Sequence, residues 1–289
     1  LSQNFYVMFY YGVDMKEYKN KTILLTGAST GIGYAMAHLL ADQGANLIIT
    51  ARGRDKLEDL AKELSDKDIQ THIFTQDISE ANSAKKLFDQ IEQSKLSVDL
   101  LINNAGYGRW GEFTEIDMQD YENMIQLNVT SLTELSYLYA KKMAEKGSGG
   151  IINIASTAAL YPIPYSAVYA GTKAYVLSLS EALNFEYSRK GIRVMAVCPG
   201  ATESKFVERA TENSERLKQR MSKFKDVENS TVRIQSAEDC AKEALDAFLK
   251  GKIYVITGRS NRLLYTLSRF FTRKAMLSWA GKAFKKIAG

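Results

Sequence analysis

A chain of 289 residues with 45% hydrophobic side chains can bury one large core, and alternating apolar and helical stretches favour one α/β domain over two. Beyond the N-terminal segment considered next, no stretch reads as a spanning helix or signal peptide, and there is no internal repeat or low-complexity tract. The net charge of +5 is modest, so its placement along the chain says more than its size.

The segment Leu1 to Asp14 contains the apolar run Phe5 to Tyr11, too short to cross a bilayer, and Met15 reads as a natural start. Residues 1–14 are therefore expected to be an added or disordered leader, and residues 15–258 the folded unit. The apolar run Ile23-Leu24-Leu25 then leads into Thr26-Gly27-Ala28-Ser29-Thr30-Gly31-Ile32-Gly33 and a helical stretch through Ala35, Leu39 and Leu40. This predicts a strand, a glycine turn and a helix whose N-terminus can take a pyrophosphate. The glycine spacing is Gly-x-x-x-Gly-x-Gly, not the Gly-x-Gly-x-x-Gly of the usual dinucleotide fingerprint. Gly44 closes the helix, and Asn46 to Thr50 is the next strand.

At the end of that strand an NAD site would carry a carboxylate for the ribose, yet the chain reads Thr50-Ala51-Arg52-Gly53-Arg54. Two guanidinium groups can pair with a 2′-phosphate, so NADP(H) is the expected cofactor. Otherwise the arginines are a solvated loop before the helix Asp55 to Leu64. Further strands are expected near 71–76, 98–103, 150–155, 193–198 and 252–257. Ser156 follows the fifth of the seven strands, where a doubly wound sheet binds ligands, although a lone serine there can equally cap a turn. Thirteen residues on, Tyr169 and Lys173 stand four apart in Tyr169-Ala170-Gly171-Thr172-Lys173, which puts phenol and ammonium on one helix face. A neighbouring cation lowers a phenol's pKa, so this pair suits proton transfer.

With these motifs in order, the chain resembles the short-chain dehydrogenase/reductase family over roughly Lys19 to Gly258, and is similar to its bacterial branch often labelled DltE-like. The resemblance implies one Rossmann-type doubly wound domain, a seven-stranded parallel sheet with helices on both faces. It implies that Asn128 completes a catalytic tetrad with Ser156, Tyr169 and Lys173. Asp77 and Ile78 would meet adenine, and Asn104, Ala105 and Gly106 follow a strand in the family's manner. Pro199, Gly200 and Thr202 would hold the nicotinamide carboxamide, and Lys173 the ribose. The implied reaction is hydride transfer between NADP(H) and a carbonyl or secondary alcohol, with Tyr169 as acid or base. Ser156 steadies the oxygen, and Asn128 holds a water that relays protons. The alternative is a nucleotide-binding sensor or scaffold without turnover, which has no chemical use for both Tyr169 and Lys173.

The substrate pocket is expected from Tyr107 to Phe113, Thr157 to Tyr165 and the stretch after Thr202, with Phe206, Val207, Met221 and Phe224 as a mobile lid. The apolar, aromatic run Leu160 to Tyr165 favours an apolar carbonyl compound. Cys198 and Cys240 read as buried free thiols suited to a reducing cytoplasm, and His38 and His72 as ordinary positions without a metal. After Asp246 there is no acidic residue, while basic residues recur from Lys250 to Lys286. Residues 259–289 also place Leu263, Leu267, Phe270, Phe271, Leu277 and Phe284 at helical spacing, a basic amphipathic tail. It would contact an anionic membrane surface or pack on this protein or a second subunit; nucleic acid is not expected. By resemblance, helices near Asp117 to Lys146 and Tyr169 to Lys190 pair copies into a homodimer or homotetramer.

Overall fold

The apolar runs become one parallel sheet in the computed structural model of the chain, which describes residues 15–203, 206, 210 and 234–288. The strands are β1 (Thr22–Thr26), β2 (Asn46–Ala51), β3 (Thr71–Thr75), β4 (Leu100–Asn103), β5 (Gly149–Ile154), β6 (Ile192–Cys198) and β7 (Tyr254–Ile256), in the order β3-β2-β1-β4-β5-β6-β7. β1 neighbours both β2 and β4, so the chain reverses its winding there and opens a crevice at the strands' carboxyl ends. The last strand is shorter than expected, since only Tyr254 to Ile256 find partners on β6.

The sheet is doubly covered because its strands are apolar on both faces. Ile23 and Leu25, Leu47 and Ile49, Leu100 and Ile102 point to one side, where α1 (Gly31–Asp42), α2 (Arg54–Glu63) and α7 (Ala237–Leu249) bring Met36, Leu40, Leu57, Leu60 and Phe248. The intervening Leu24, Ile48 and Leu101 point to the other, against Leu87 and Ile91 of α3 (Ser83–Gln93) and Leu135, Tyr139 and Met143 of α5 (Leu132–Lys146). That period of two, without a polar face, is the signature of a buried parallel strand. Each fully buried Leu or Ile contributes roughly 1.5–3 kcal/mol. Met15 and Tyr18 join the first cluster, and the Tyr18 hydroxyl donates to Leu245 O at 2.8 Å.

Where the crevice opens, buried amides replace hydrocarbon. Asn103 Nδ2 donates to Asn153 Oδ1 (2.9 Å) and Ser136 Oγ (3.0 Å), and Asn153 Nδ2 donates to Ser180 Oγ (3.0 Å). These bonds tie the ends of β4 and β5 to α5 and to α6 (Ala167–Ser188). Truncating any one of these groups would strand a buried partner. Between α4 (Met118–Ile125) and α5 the chain makes a π-helical turn over Gln126–Ser131. After β7 the chain continues as α8 (Arg259–Ser268) and α9 (Arg273–Ala288), the helices expected of the basic tail.

Candidate active site

On one side of the crevice the glycine turn is held by backbone contact. Gly27 has φ +66°, and a side chain there would put Cβ 2.9 Å from Ala105 Cα. At Gly33 the Cβ would lie 2.4 Å from both Gly27 O and Asn104 Nδ2. Asn104 Nδ2 donates to Thr26 O (2.9 Å) and Gly27 O (3.0 Å), and Thr26 Oγ1 accepts from the backbone N–H groups of Asn104 and Ala105, each at 3.0 Å. So the Asn104-Ala105-Gly106 segment braces the turn that holds Ser29, Thr30, Gly31 and Ile32. The first turn of α1 has no acidic residue, and the Thr30 side chain makes no capping hydrogen bond. Its N–H groups are thus left without a side-chain acceptor, which fits a pyrophosphate.

Carboxylates reach Arg52 and Arg54 from beyond that turn. Arg54 Nε pairs with Glu58 at 2.7 Å, one helical turn on, and Arg52 Nη1 lies 3.8 Å from Asp77 Oδ2. Both guanidinium groups remain mostly exposed, and the space around Gly53 is open. Asp77 Oδ1 also accepts from Ser79 N (2.9 Å) and Oγ (2.6 Å), while Ile78 is buried.

The other side of the crevice gathers Asn128, Ser156, Tyr169 and Lys173. Asn128 sits fully buried in the π-helical turn; its Nδ2 donates to Tyr107 O (2.8 Å) and Thr172 Oγ1 (3.1 Å), and its Oδ1 accepts from Tyr107 N (3.2 Å). The extra residue in such a turn re-aims a side chain inward, and here three bonds fix the amide. A Cβ on Gly106 would lie 3.0 Å from Asn128 Oδ1 and 3.2 Å from Lys173 Nζ, so that backbone sits between the two. Lys173 Nζ donates to Ile154 O at 2.7 Å and stands 5.9 Å from the Tyr169 ring centre. Ser156 Oγ accepts from Ala158 N (3.1 Å) as the cap of a short 3-10 turn and donates to Pro199 O (3.4 Å), and it stands near enough to the Tyr169 phenol to favour its ionised form.

The electrostatics correct one expectation. Burial pushes the Tyr169 phenol up to about 12, opposed by the Ser156 hydroxyl, and burial pulls Lys173 down to about 8. The expected lowering of the phenol by Lys173 is absent. Desolvation dominates because Phe206 lies against the phenol ring, 5.3 Å between centres, and Gly108 presses on both rings. Phe206 thus stands where a lid was expected; Val207, Met221 and Phe224 lie outside the described residues. His38, a helix position as expected, lies 3.1 Å from Glu63 of the next helix.

Pro199, Gly200 and Thr202 follow β6 beside Ser156: Thr157 N donates to Pro199 O at 2.8 Å, and Thr202 bridges to Gln235. Sequence reasoning missed what braces this loop. Asn261 of α8 sits so close to Gly200 that a Cβ there would fall 2.3 Å from its Nδ2, and Glu243 accepts from Gly258 N (3.1 Å), Gln235 Nε2 (3.2 Å) and Arg262. Beyond it, a groove of about 580 Å³ runs between Gly111 to Phe113, Pro164 and Tyr165 on one side and Ser278, Gly281 and Lys282 of α9 on the other. Tyr165 holds φ +64°, a strained value for an aromatic residue, at the groove's wall.

A doubly wound sheet open at its switch point, with a glycine cradle facing a cluster of hydroxyl, phenol and amine, is the framework of a dinucleotide-dependent oxidoreductase. The chain belongs to the short chain dehydrogenase family, whose family model matches residues 21–215. It is 32% identical over 186 residues to sulfoacetaldehyde reductase 2 of Chromohalobacter salexigens, covering 64% of this chain and 73% of that one. It is 30% identical over 257 residues to the very-long-chain 3-oxoacyl-CoA reductase of Bos taurus, covering 84% and 81%. Among solved structures it is similar to a short-chain dehydrogenase from Sphingobium yanoikuyae in complex with NADPH, with TM-score 0.73 and 28% identity over 92% of this chain and 95% of that one. The expected family and seven-stranded Rossmann-type architecture are borne out.

Proposed function

We propose that this protein is an NADP(H)-dependent reductase of an apolar carbonyl compound, working in reverse on the secondary alcohol. The observation that carries the reading is Tyr169, beside the Ser156 hydroxyl and one helical turn from Lys173, inside the crevice that the glycine turn faces. Bound NADPH would supply the hydride. Tyr169, protonated at neutral pH with its pKa near 12, gives its proton to the oxygen of the carbonyl being reduced. Ser156 Oγ donates to the same oxygen, Lys173 holds ribose hydroxyls, and Asn128 keeps the proton route from Lys173 open through a water.

Gly27, Ser29, Thr30, Gly31, Ile32 and Gly33 would take the pyrophosphate. Asp77 and Ile78 would take adenine, Asn104 to Gly106 would line the dinucleotide's path, and Pro199, Gly200 and Thr202 would receive the nicotinamide. Preference for NADP(H) is supported by the exposed Arg52 and Arg54 and by the NADPH-bound relative. An apolar substrate is supported by the cluster of Tyr107, Tyr121, Ile163, Val168 and Phe206 around Tyr169. Met118, Ile125, Tyr137, Tyr175 and Phe185, exposed on α4, the π-helical turn's entry, α5 and α6, support a homo-oligomer through those helices. Two buried free cysteines support a reducing cytoplasm, with the basic tail at the inner membrane surface.

The test is NADPH against NADH oxidation over apolar ketones, aldehydes and 3-ketoacyl thioesters. The expected result is turnover that prefers NADPH and falls by 10²-fold or more, roughly, in Tyr169→Phe with NADPH affinity kept. Turnover kept in that variant removes Tyr169 from its role. Tight NADPH binding with no turnover on any compound favours the sensor.

A further inference from the structure

The chain's charge is split. Ten of its 38 basic residues and none of its 33 acidic ones follow Asp246, so the tail carries +10 and the remainder −5. Within that tail α8 has no buried residue. A ten-residue helix is marginal alone in water; Tyr265 leans on the core at Cys198 and Ile256 and Asn261 and Arg262 hold the helix's start, while Leu263 and Leu267 are left exposed. Leu263 and Leu267 of α8 and Phe270 just past its end recur at intervals of four and three, 61%, 48% and 83% exposed. Phe271 extends the patch at the turn, and on α9 Leu277 and Trp279, two residues apart and so on opposite flanks of that helix, are also exposed. Single exposed apolar side chains are ordinary; Leu263, Leu267, Phe270 and Phe271, four within nine residues, are a surface.

We infer that this face of α8 and α9 docks in the interface of an anionic lipid bilayer. Exposed Arg259, Arg269, Arg273, Lys274, Lys282 and Lys285 surround the patch. That combination places Phe, Trp and Leu at the acyl boundary and cations among phosphate headgroups, each worth about 1 kcal/mol near an anionic surface. A second copy docked by the same face would oppose two wholly basic surfaces, which is repulsive. A nucleic acid would satisfy the cations but leave Leu263 and Leu267 in water. No helix among the described residues is long and apolar enough to cross a membrane, so the contact is peripheral.

The placement also bears on substrate supply. Ser278, Gly281 and Lys282 line the groove against Pro164 and Tyr165, while the exposed Leu277 and Trp279 flank that side of α9 to either hand. Docking therefore sets the groove's mouth at the lipid surface. This step rests on the reductase reading above: the substrate is a lipid-soluble carbonyl compound drawn from the bilayer. The docking itself does not depend on turnover.

The experiment is flotation of the full chain with phosphatidylcholine vesicles with and without phosphatidylglycerol, with size-exclusion chromatography of the same samples. Binding should need phosphatidylglycerol, weaken with salt, and fall about tenfold or more in Phe270→Ser with Phe271→Ser and in Arg269→Glu with Lys274→Glu. In a Trp110→Phe background the emission of Trp279, then the sole tryptophan, should shift to the blue on vesicle addition. Absence of flotation, flotation indifferent to these substitutions, or an oligomer that Phe270→Ser dissociates would overturn the proposal, the last by making the face a subunit contact. Turnover of a water-soluble ketone, kept in the tail variants, separates a failure here from a failure of the reductase reading.

Discussion

Around Gly27 and Gly33 the chain is fixed by backbone against backbone, whereas α8 and α9 touch the body mainly at their roots and along one side. In the first region a single methyl group collides with main-chain atoms at 2.4 Å, and the neighbouring amides are locked by four hydrogen bonds from Asn104 and Ala105. In the second, α8 has no fully buried residue and Ala280 is the buried residue among those of α9 whose side chains are described. The difference separates two kinds of constraint. Where backbone meets backbone, residue identity is dictated by space; where a helix lies on the surface, it is dictated by whatever the helix meets.

The largest expected effect is Gly33→Ala. Its Cβ meets Gly27 O, a main-chain atom that cannot move without the turn, so a loss of about 3 kcal/mol in urea unfolding is expected, with loss of nucleotide binding by calorimetry. Retention of both would mean that the turn is as yielding as the tail.

Lys173→Met is expected to act oppositely on stability and activity. Burial holds the ammonium near 8 in the folded chain against an ordinary value of 10.5, so folding costs free energy wherever both states carry the proton, below about pH 8. The cost shrinks as pH rises from about 8 toward 10.5. Removing the amine leaves Ile154 O without its donor, which offsets part of the gain. The variant should be about 1–2 kcal/mol more stable than the parent at pH 7, with the difference shrinking above pH 8, and should not turn over. A variant less stable at pH 7 would show the ammonium to be satisfied in its site.

Much of the rigid region was legible in the sequence, and the reason is the same constraint. A glycine turn between an apolar run and a helix has few structural alternatives, so the strand boundaries of β1 and β2 and the places of Gly27, Gly31 and Gly33 follow directly. Tyr169 and Lys173 were legible because four residues make one helical turn. Less could be read where the structure depends on contacts distant in sequence. Thr172 holds Asn128 across 44 residues, Asp77 reaches Arg52 from the loop after β3, and Asn261 closes on Gly200 from the tail. None of these leaves a periodic trace. The phenol's pKa was misread because spacing reports a neighbouring charge but not the Phe206 ring that excludes water.

A smaller effect is expected at Arg52 and Arg54, between the two extremes: anchored by backbone but exposed. Replacing both with alanine should weaken NADPH roughly tenfold and NADH hardly at all, since only the 2′-phosphate loses partners. Equal losses for both nucleotides in fluorescence titration would assign the arginines to the fold, where their pairs with Asp77 and Glu58 are too exposed to contribute much.

The smallest expected effect is Leu267→Ser. A leucine in the core, such as Leu60 on α2, gives up about 2–5 kcal/mol on truncation because its cavity cannot collapse. Leu267 is 48% exposed on a helix with no fully buried residue, so no cavity forms, and unfolding in water should move by no more than about 0.5 kcal/mol. The same substitution should weaken vesicle flotation. A drop of 2 kcal/mol or so in the isolated chain would mean that α8 packs on the body more firmly than its exposure allows, and the contrast between the two regions would close.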